Sequence, residues 1–134
     1  MNISIIIPTY NRLESVKKCL VSILKTDRND FEIIIVNDAS TDGTQNVVKK
    51  FPNIRLIVNK ENKGKSYSVA TGIIESSGDY ILMLDADLHG LCFEDIISLV
   101  DPVKKGRADV SMSMRKNTPG WMKLIKVDLM TGER

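Results

Sequence analysis

Two carboxylates one residue apart, Asp85 and Asp87, have the spacing in this sequence that most directly suggests chemistry. They follow an apolar run, and the pattern predicts a buried strand over residues 80–87. Since alternate side chains of a strand share a face, both carboxylates can point at one spot. Oxygen donors of this kind suit Mn²⁺ or Mg²⁺, and such an ion could neutralise a bound diphosphate and help it leave. The competing interpretation is structural, because acidic residues often end strands and cap the next helix.

Polar loops follow each of the predicted strands. Ligands of open parallel sheets bind at the carboxyl ends of the strands, so these loops can be interpreted together. The four loops are residues 8–12, 37–44, 59–66 and 85–89. Together they supply an aromatic ring, acidic acceptors, lysines and backbone amides beside a glycine, which is the set that a nucleotide diphosphate requires.

Individual loop residues suit different parts of such a ligand. Tyr10 could stack on a base, and Asp38 could accept a hydrogen bond from a ring N–H or a ribose hydroxyl. Lys65 and the amides at the start of the third predicted helix could meet phosphate oxygens. Structural alternatives stay open: Tyr10 could pack over the sheet edge, and Asp42 is better interpreted as a helix cap. For Asp38 we favour ligand binding.

Apolar runs alternate with amphipathic helical patterns along the chain, which is typical of a mostly parallel sheet covered by helices. The predicted strands cover residues 2–7, where Pro8 is expected to end the strand, and residues 31–36, 54–58, 80–87 and 108–114. A short helix is predicted at residues 42–50, and the apolar faces of three others consist of Leu13, Val16, Leu20, Ile23 and Leu24; Tyr67, Ala70, Ile73 and Ile74; and Phe93, Ile96, Ile97, Val100 and Val103. A turn at 117–120 and a helix over 121–130 are predicted beyond them. We therefore expect an α/β fold with three α/β/α layers and a Rossmann-like, mostly parallel sheet.

Length and composition limit the remaining possibilities. A chain of 134 residues that is 43% hydrophobic predicts a single domain over residues 1–134 with one core. Its 19 basic and 17 acidic residues leave a net charge of +2, so no nucleic-acid partner is expected. Neither a signal peptide nor a membrane span is predicted. Cys19 and Cys92 lie in apolar contexts without metal or redox spacing, which favours reduced core residues of a cytoplasmic protein.

Five segments, residues 5–11, 34–44, 62–65, 78–80 and 85–87, stand in an order and spacing that together carry a family resemblance. The chain resembles the nucleotide-binding half of a family 2 glycosyltransferase with the GT-A fold. The resemblance covers roughly residues 2–90. No single motif is specific, but the ordered set is.

The resemblance implies a site for a nucleotide sugar. Thr9, Tyr10 and Asp38 are expected to contact the nucleoside. Asp85 is expected near the ribose or the diphosphate, and Asp87 is expected to ligate the metal. The residues predicted to bind the nucleotide sugar are Pro8, Thr9, Tyr10, Asn11, Asp38, Lys65 and Asp85, and those predicted to hold Mn²⁺ or Mg²⁺ are Asp85 and Asp87.

The resemblance also implies a reaction, which is the inverting transfer of a sugar from a UDP- or GDP-linked donor to an acceptor hydroxyl. A general base must deprotonate that hydroxyl. No later acidic residue stands in a recognisable base motif, so no catalytic residue is assigned. The acceptor-binding half is expected to be incomplete or absent after about residue 115, as in a chain cut inside a larger fold. The acceptor is open between a lipid-linked molecule and a cell-wall or other polysaccharide.

Further expectations concern the surroundings of the site. His89, two positions after Asp87, stands where relatives that use polyprenol phosphates carry an amide, and it is a further candidate for reaching the ion. A homodimer is one way to cover apolar surface left by a missing half. A position at the inner face of the membrane is compatible with the modest basic charge.

Three other functional classes match some of the same residues. Residues 64–66 copy the end of a P-loop and residues 81–85 copy a Walker B strand, but Asn59 occupies the place of the first P-loop glycine. A nucleotidyltransferase would show a glycine-rich basic loop after its first strand, which residues 8–11 lack. A module that binds a nucleotide sugar without catalysis is the alternative from a different class.

Overall fold

The computed structural model describes residues 2–25, 30–88 and 90–113. Eight elements alternate along this part of the chain: β1 (Ile3–Thr9), α1 (Leu13–Leu24), β2 (Phe31–Asn37), α2 (Thr44–Val48), β3 (Ile54–Val58), α3 (Lys65–Glu75), β4 (Tyr80–Met83) and α4 (Phe93–Lys104). The alternation predicted from the sequence is confirmed. Among the described residues, no helix has the length and apolar character needed to cross a bilayer.

The four strands form one parallel sheet in the order β3-β2-β1-β4. Ile5 of β1 pairs with Ile33 of β2 on one side and with Leu82 of β4 on the other. The direction of winding reverses after β3, because the next strand joins the sheet on the far side of β1. Right-handed crossovers then place α1 and α2 on one face and α3 on the other. The expected three-layer α/β fold is confirmed.

Strands β1 and β2 form the centre of the core. All seven residues of β1 are buried, and so are the last five of β2. Isoleucine and valine dominate both strands because β-branched side chains suit a pleated surface that is covered on both faces. Pro8 is part of β1, contrary to the expectation that it would end the strand. Pairing with β4 stops at Ile6, so Pro8 lies beyond the part of β1 that pairs with β4.

Helix α1 covers the sheet with the predicted stripe of apolar residues. Val16, Cys19, Leu20 and Ile23 are buried at the helical spacing. Leu24, which was predicted on the same face, is 40% exposed.

Helix α3 packs on a different face from the one predicted. The expected apolar residues are all exposed: Tyr67, Ala70, Ile73 and Ile74. Ser68 and Gly72 are the buried residues instead. A Cβ atom at Gly72 would lie 2.5 Å from Ile6 Cγ2 and 3.3 Å from Val36 Cγ2. The small residues thus let α3 approach the sheet closely, and close approach decides which face turns inward.

The chain divides between residues 94 and 95 into two compact units. The described part of the second unit contains most of α4, whose buried residues Ile96 and Val100 belong to the predicted apolar face.

No strand forms over residues 108–113, so the strand predicted at 108–114 is wrong for the described residues. Cys92 is exposed and precedes α4, which contradicts the expectation of a core position. The predictions for residues 117–120 and 121–130 lie outside the described residues, and the single-domain prediction stays a prediction.

Candidate functional site

Asp38, directly after β2, is buried at the carboxyl end of the sheet with 4% of its surface exposed. Its Oδ1 accepts hydrogen bonds from the Lys63 amide at 2.8 Å and from Asn59 Nδ2 at 2.9 Å. Its Oδ2 accepts one from the Gly64 amide at 2.9 Å. Asp38 therefore fastens the loop that leads into α3, a role that the sequence did not predict. A carboxylate has about four acceptor positions, and a side-chain hydrogen bond from Ser68 adds a fourth internal donor to these three.

The ionisation of Asp38 follows from these contacts. Burial opposes the charged form, but the hydrogen bonds from Lys63, Asn59 and Gly64 outweigh it and hold the pKa of this carboxyl below its ordinary value. Asp38 is therefore an anion at neutral pH, and it has no described cation against it. Backbone and side-chain N–H groups balance its charge.

Gly64 gives the loop a conformation that other residues rarely adopt. Its φ of 90° and ψ of 164° lie in a region essentially restricted to glycine. This conformation turns the Gly64 amide toward Asp38 immediately before α3 begins at Lys65. The position of Lys65 at the site thus depends on Gly64 and Asp38.

Hydrogen bonds of Asn11 join the loop after β1 to the loop after β2. Asn11 donates its amide N–H to Ser40 Oγ at 2.9 Å, and its Oδ1 accepts from the Thr41 amide at 2.8 Å. We call this pair of hydrogen bonds the latch. Asn11 and Ala39 have positive φ angles of 49° and 61°, so the backbone is strained on both sides of the latch. Asn11 was predicted to bind nucleotide sugar; in the structure its side chain joins the two loops.

Asp42 accepts hydrogen bonds from backbone amides at the starts of two helices. Its Oδ2 accepts from the amide of Leu13, the first residue of α1, at 3.1 Å, and its Oδ1 accepts from the Thr44 amide at the start of α2 at 3.1 Å. Burial opposes ionisation, yet the bonds from Thr44 and Leu13 hold the pKa of Asp42 below its ordinary value. The prediction of Asp42 as the N-cap of the following helix is wrong, because that position is Gly43, but the Asp42 carboxylate still accepts from the amides at the starts of α1 and α2.

The carboxyl ends of β1 and β2 provide one exposed aromatic ring and two buried polar side chains. Tyr10 is 47% exposed directly after Thr9. Thr9 and Asn37 are paired across β1 and β2. Thr9 Oγ1 and Asn37 Nδ2 are buried without a hydrogen-bond partner among the described residues. Such atoms are rare in folded proteins unless water or a ligand satisfies them, which favours a polar occupant at this edge.

The acidic pair lies in a turn and not in a strand. Strand β4 ends at Met83, and the Leu88 amide donates to the Asp85 carbonyl at 3.1 Å. The premise that residues 80–87 form one strand is therefore wrong. Alternation of burial nevertheless continues past the strand, because Leu84 and Ala86 are buried while Asp85 and Asp87 are exposed. Both carboxylates are open to solvent at the carboxyl end of the sheet.

Lys65 brings the start of α3 to the acidic turn. Its Nζ donates a hydrogen bond to Asp85 Oδ1 as an ion pair, with the lysine side chain 67% and the aspartate side chain 49% exposed. Two residues that were predicted to share the nucleotide-sugar site are thus in contact.

Asp87 lies close enough to α1 to affect a buried thiol. Burial, with a smaller contribution from the negative charge of Asp87, raises the pKa of Cys19 to about 11. The acidic turn therefore lies beside α1, while Lys65 approaches it from the start of α3.

The donor set at the acidic turn fits a hard divalent ion that keeps open positions. Among the residues that the structure describes, no cluster of three or more His, Cys, Asp or Glu side chains is arranged to hold a metal. Two carboxylates that leave the other positions to phosphate oxygens and water are typical of Mg²⁺ sites. The lysine ammonium on Asp85 indicates that this carboxylate accepts a cation. His89 lies outside the described residues, so its role as a ligand stays a prediction.

Sequence reasoning missed Asn59, Asn37 and Ser68. Asn59 Nδ2 donates both to Asp38 and to Ser68 Oγ, at 2.9 and 3.1 Å, and thereby links β2, β3 and α3. The available signal was position, since Asn59 directly follows β3 and Asn37 ends β2. An asparagine at the carboxyl end of a buried strand must satisfy its amide somewhere.

The fold and the loops define an open α/β protein whose sheet changes winding direction between β1 and β4, which is where proteins of this class generally bind their ligands. The structural neighbours are GT-A glycosyltransferases. The family model described as Glycosyl transferase family 2 matches residues 4–126. The chain belongs to glycosyl transferase family 2.

Named relatives agree with this assignment. Dolichol-phosphate mannosyltransferase of Pyrococcus furiosus is 34% identical over 145 residues, which cover 98% of this chain and 40% of that protein. TarS 1–349 of S. aureus superposes with a TM-score of 0.75 at 26% identity, covering 90% of this chain and 38% of that one. The same protein has been solved in complex with UDP.

A further solved relative contains both a donor and an ion. Mannosyltransferase PcManGT from Pyrobaculum calidifontis, in complex with GDP-Man and Mn²⁺, superposes with a TM-score of 0.67 at 27% identity, covering 75% of this chain and 32% of that one. The chain spans at most 40% of the length of each of these three proteins.

Proposed function

We propose that this chain provides the donor site of an inverting glycosyltransferase that takes a sugar from a nucleotide-diphosphate sugar. The observation that carries the proposal is the convergence of the loops. The loop after β1 is latched to the loop after β2, Asp38 fastens the loop before α3, and Lys65 at the start of α3 contacts the turn after β4. We therefore propose that these loops line one crevice, which combines an aromatic ring, buried polar atoms, a lysine and two exposed carboxylates.

Each part of this crevice suits one part of the donor. The exposed ring of Tyr10 is available for stacking on the base. The orphan atoms of Thr9 and Asn37 suit polar groups of the nucleoside. The predicted contact of Asp38 with the nucleoside stays a prediction. Pro8 and Asn11 support this wall through the buried end of β1 and the latch. Their predicted contacts with the nucleotide sugar stay predictions.

The acidic turn suits the diphosphate. Asp85 and Asp87 would hold a divalent ion there, and the ion, when bound, supplies positive charge that stabilises the leaving nucleotide diphosphate. Mn²⁺ in the PcManGT complex supports a divalent metal, and both Mn²⁺ and Mg²⁺ match the carboxylate donors. Lys65 can donate to the phosphate oxygens from the start of α3.

The acceptor side is proposed more coarsely. The reaction needs a general base, and no residue of this chain is assigned to that role. The similarity to the dolichol-phosphate mannosyltransferase of Pyrococcus furiosus supports a lipid-linked acceptor as one candidate. The predicted cytoplasmic location, also at the inner face of a membrane, and the predicted homodimer stay predictions.

The test is isothermal titration calorimetry of the chain with UDP, GDP, UDP-glucose and GDP-mannose, each with Mn²⁺, with Mg²⁺ and with EDTA. We expect binding of at least one nucleotide that EDTA abolishes. Absence of binding by every nucleotide in the presence of either ion would refute the donor site. A radiolabelled hydrolysis and transfer assay on the same sample then separates an active transferase from a module that only binds the donor.

A further inference from the structure

We infer that Lys65 is a built-in competitor of the divalent ion: it occupies Asp85 until donor and ion arrive together, and then moves to the phosphates. This inference rests on the proposed donor site and adds a coupling between ion and nucleotide. Its geometric basis is the ion pair between Lys65 Nζ and Asp85 Oδ1.

The contact is between groups that are free to exchange partners. The side chains of Lys65 and Asp85 are 67% and 49% exposed, so water can solvate both groups when the pair breaks. An exposed ion pair contributes little to stability. A divalent ion can therefore displace the ammonium, although at a cost in its apparent affinity.

The lysine is held within reach by the rest of the site. Lys65 is the first residue of α3, and the preceding Gly64 donates its amide to Asp38. The backbone at the start of α3 is thus fixed, while the long side chain can swing between Asp85 and an incoming phosphate group. Amide groups at the start of this helix favour the same anion.

Because the Lys65 side chain both competes with the ion for Asp85 and binds phosphate, binding of the ion is coupled to binding of the nucleotide. An ion alone must displace Lys65 from Asp85 and leaves the ammonium without its partner. An ion that arrives with a diphosphate offers the ammonium a new partner. Each ligand consequently raises the affinity for the other, as reciprocal linkage requires. The protein would bind the ion with its donor far better than the ion by itself.

The experiment compares wild type, Lys65→Met, Lys65→Arg and Lys60→Met. Methionine keeps much of the lysine side chain's length and removes the charge, and arginine keeps the charge. Lys60 is exposed in the same loop and serves as the matched control for a lost positive charge. Binding of Mn²⁺ alone is measured by water-proton relaxation enhancement, and binding of UDP and GDP at saturating Mn²⁺ by calorimetry. Thermal melting checks that each variant is folded.

Opposite changes in the two affinities are the expected signature. Lys65→Met should bind Mn²⁺ alone about two- to five-fold more tightly, as the loss of an exposed ion pair predicts. It should bind the nucleotide with Mn²⁺ about ten-fold more weakly, because a charge-assisted bond to phosphate is lost. Lys65→Arg should restore both values toward wild type, and Lys60→Met should leave both unchanged.

Two outcomes overturn the inference and are distinguishable from failure of the proposed function. If Lys65→Met weakens nucleotide binding but does not strengthen binding of Mn²⁺ alone, Lys65 is only a phosphate ligand, and the donor site still stands. If neither protein binds Mn²⁺ alone up to millimolar concentration, the competition is refuted as well. If no nucleotide binds to wild type, the proposed function fails, while the titration with Mn²⁺ alone still tests the competition.

Discussion

Asp38 and Asp85 are aspartates at the carboxyl ends of two strands of one sheet, yet the structure uses them in opposite ways. Asp38 is 4% exposed and accepts three N–H groups of its own chain, whereas the Asp85 side chain is 49% exposed and its carboxylate contacts the ammonium of Lys65. One carboxylate is largely used by internal donors, and the other is available to an external cation.

The difference shows that the same residue type can hold a loop in place at one position and be available for an ion at another. A buried carboxylate needs donors in fixed positions, so Asp38 organises the loop before α3. An exposed carboxylate retains its water and exchanges partners at little cost, which suits a group that must take up and release an ion. In the structure Asp38 therefore organises a loop, while its predicted contact with the nucleoside stays a prediction. The acidic turn is the surface that we propose for the ion and the diphosphate.

The largest effect that tests this contrast is the loss of stability on Asp38→Ala. Three internal donors would lose their acceptor, and we expect the free energy of unfolding to fall on the order of 3 kcal/mol. Urea denaturation followed by circular dichroism measures it. Asp85→Ala is the matched control and should cost less than about 1 kcal/mol. The contrast between Asp38 and Asp85 is contradicted if Asp38→Ala is as stable as wild type and loses only nucleotide binding.

The second effect concerns binding and should appear on Asp87→Ala. We expect metal-dependent nucleotide affinity to fall about 100-fold or more, close to 2.7 kcal/mol, because a proposed metal ligand is removed. Calorimetry with Mn²⁺ and UDP or GDP measures it, and the melting temperature should barely change. Asp79→Ala, at the amino end of β4, is the control for a lost negative charge. Unaltered affinity in Asp87→Ala would exclude this residue from the ion site.

A smaller effect is expected from Gly64→Ala, which sharpens the structural side of the contrast. A Cβ there would meet no atom within 4 Å, so the cost comes from the φ of 90° alone. We expect a loss of about 1–3 kcal/mol, with a parallel loss of nucleotide affinity as the start of α3 shifts. Gly106→Ala, at a φ of 66° after α4, should destabilise without changing affinity. If Gly64→Ala and Gly106→Ala bind the nucleotide with equal affinity, the loop that Asp38 holds is not part of the nucleotide site.

The smallest effect is a pH dependence specific to Asp38. Its folded-state pKa is lowered from the ordinary 3.8, so its contribution to stability is present above about that value and is lost as the pH falls through the folded-state pKa. The stability difference between wild type and Asp38→Asn should therefore shrink as the pH is lowered from 6 to 3. Comparing the two proteins removes contributions from Glu32 and Asp42, whose pKa values are also lowered. A difference that stays constant over this range would contradict the role of the Asp38 charge.

The strands and their polar loops were largely predictable. β3 was predicted at residues 54–58 and begins and ends there, because the apolar run is short and is bounded by polar residues. The helical stripe of α1 was predictable for the same reason. Periodicity of this kind is a local property, and burial enforces it.

The packing of α3 and the course of the chain after β4 were not predictable. The apolar residues of α3 suggested one face, but contact with Ile6 and Val36 selects the face that has no side chain at Gly72. The turn at Asp85 ends β4 early, although burial continues to alternate. Both results depend on distances to other elements, which a single sequence does not contain.

The sequence by itself determined the α/β alternation, the family and the set of polar residues placed at the strand ends, because these depend on residue order and local periodicity. Only the tertiary structure decided what each of those residues does. Asp38 meets Lys63 and Gly64 across 25 and 26 residues of chain, and Lys65 meets Asp85 across 20. Burial and the available donors make one aspartate part of the framework and leave the other open to a cation, and both conditions arise only when the strands come together.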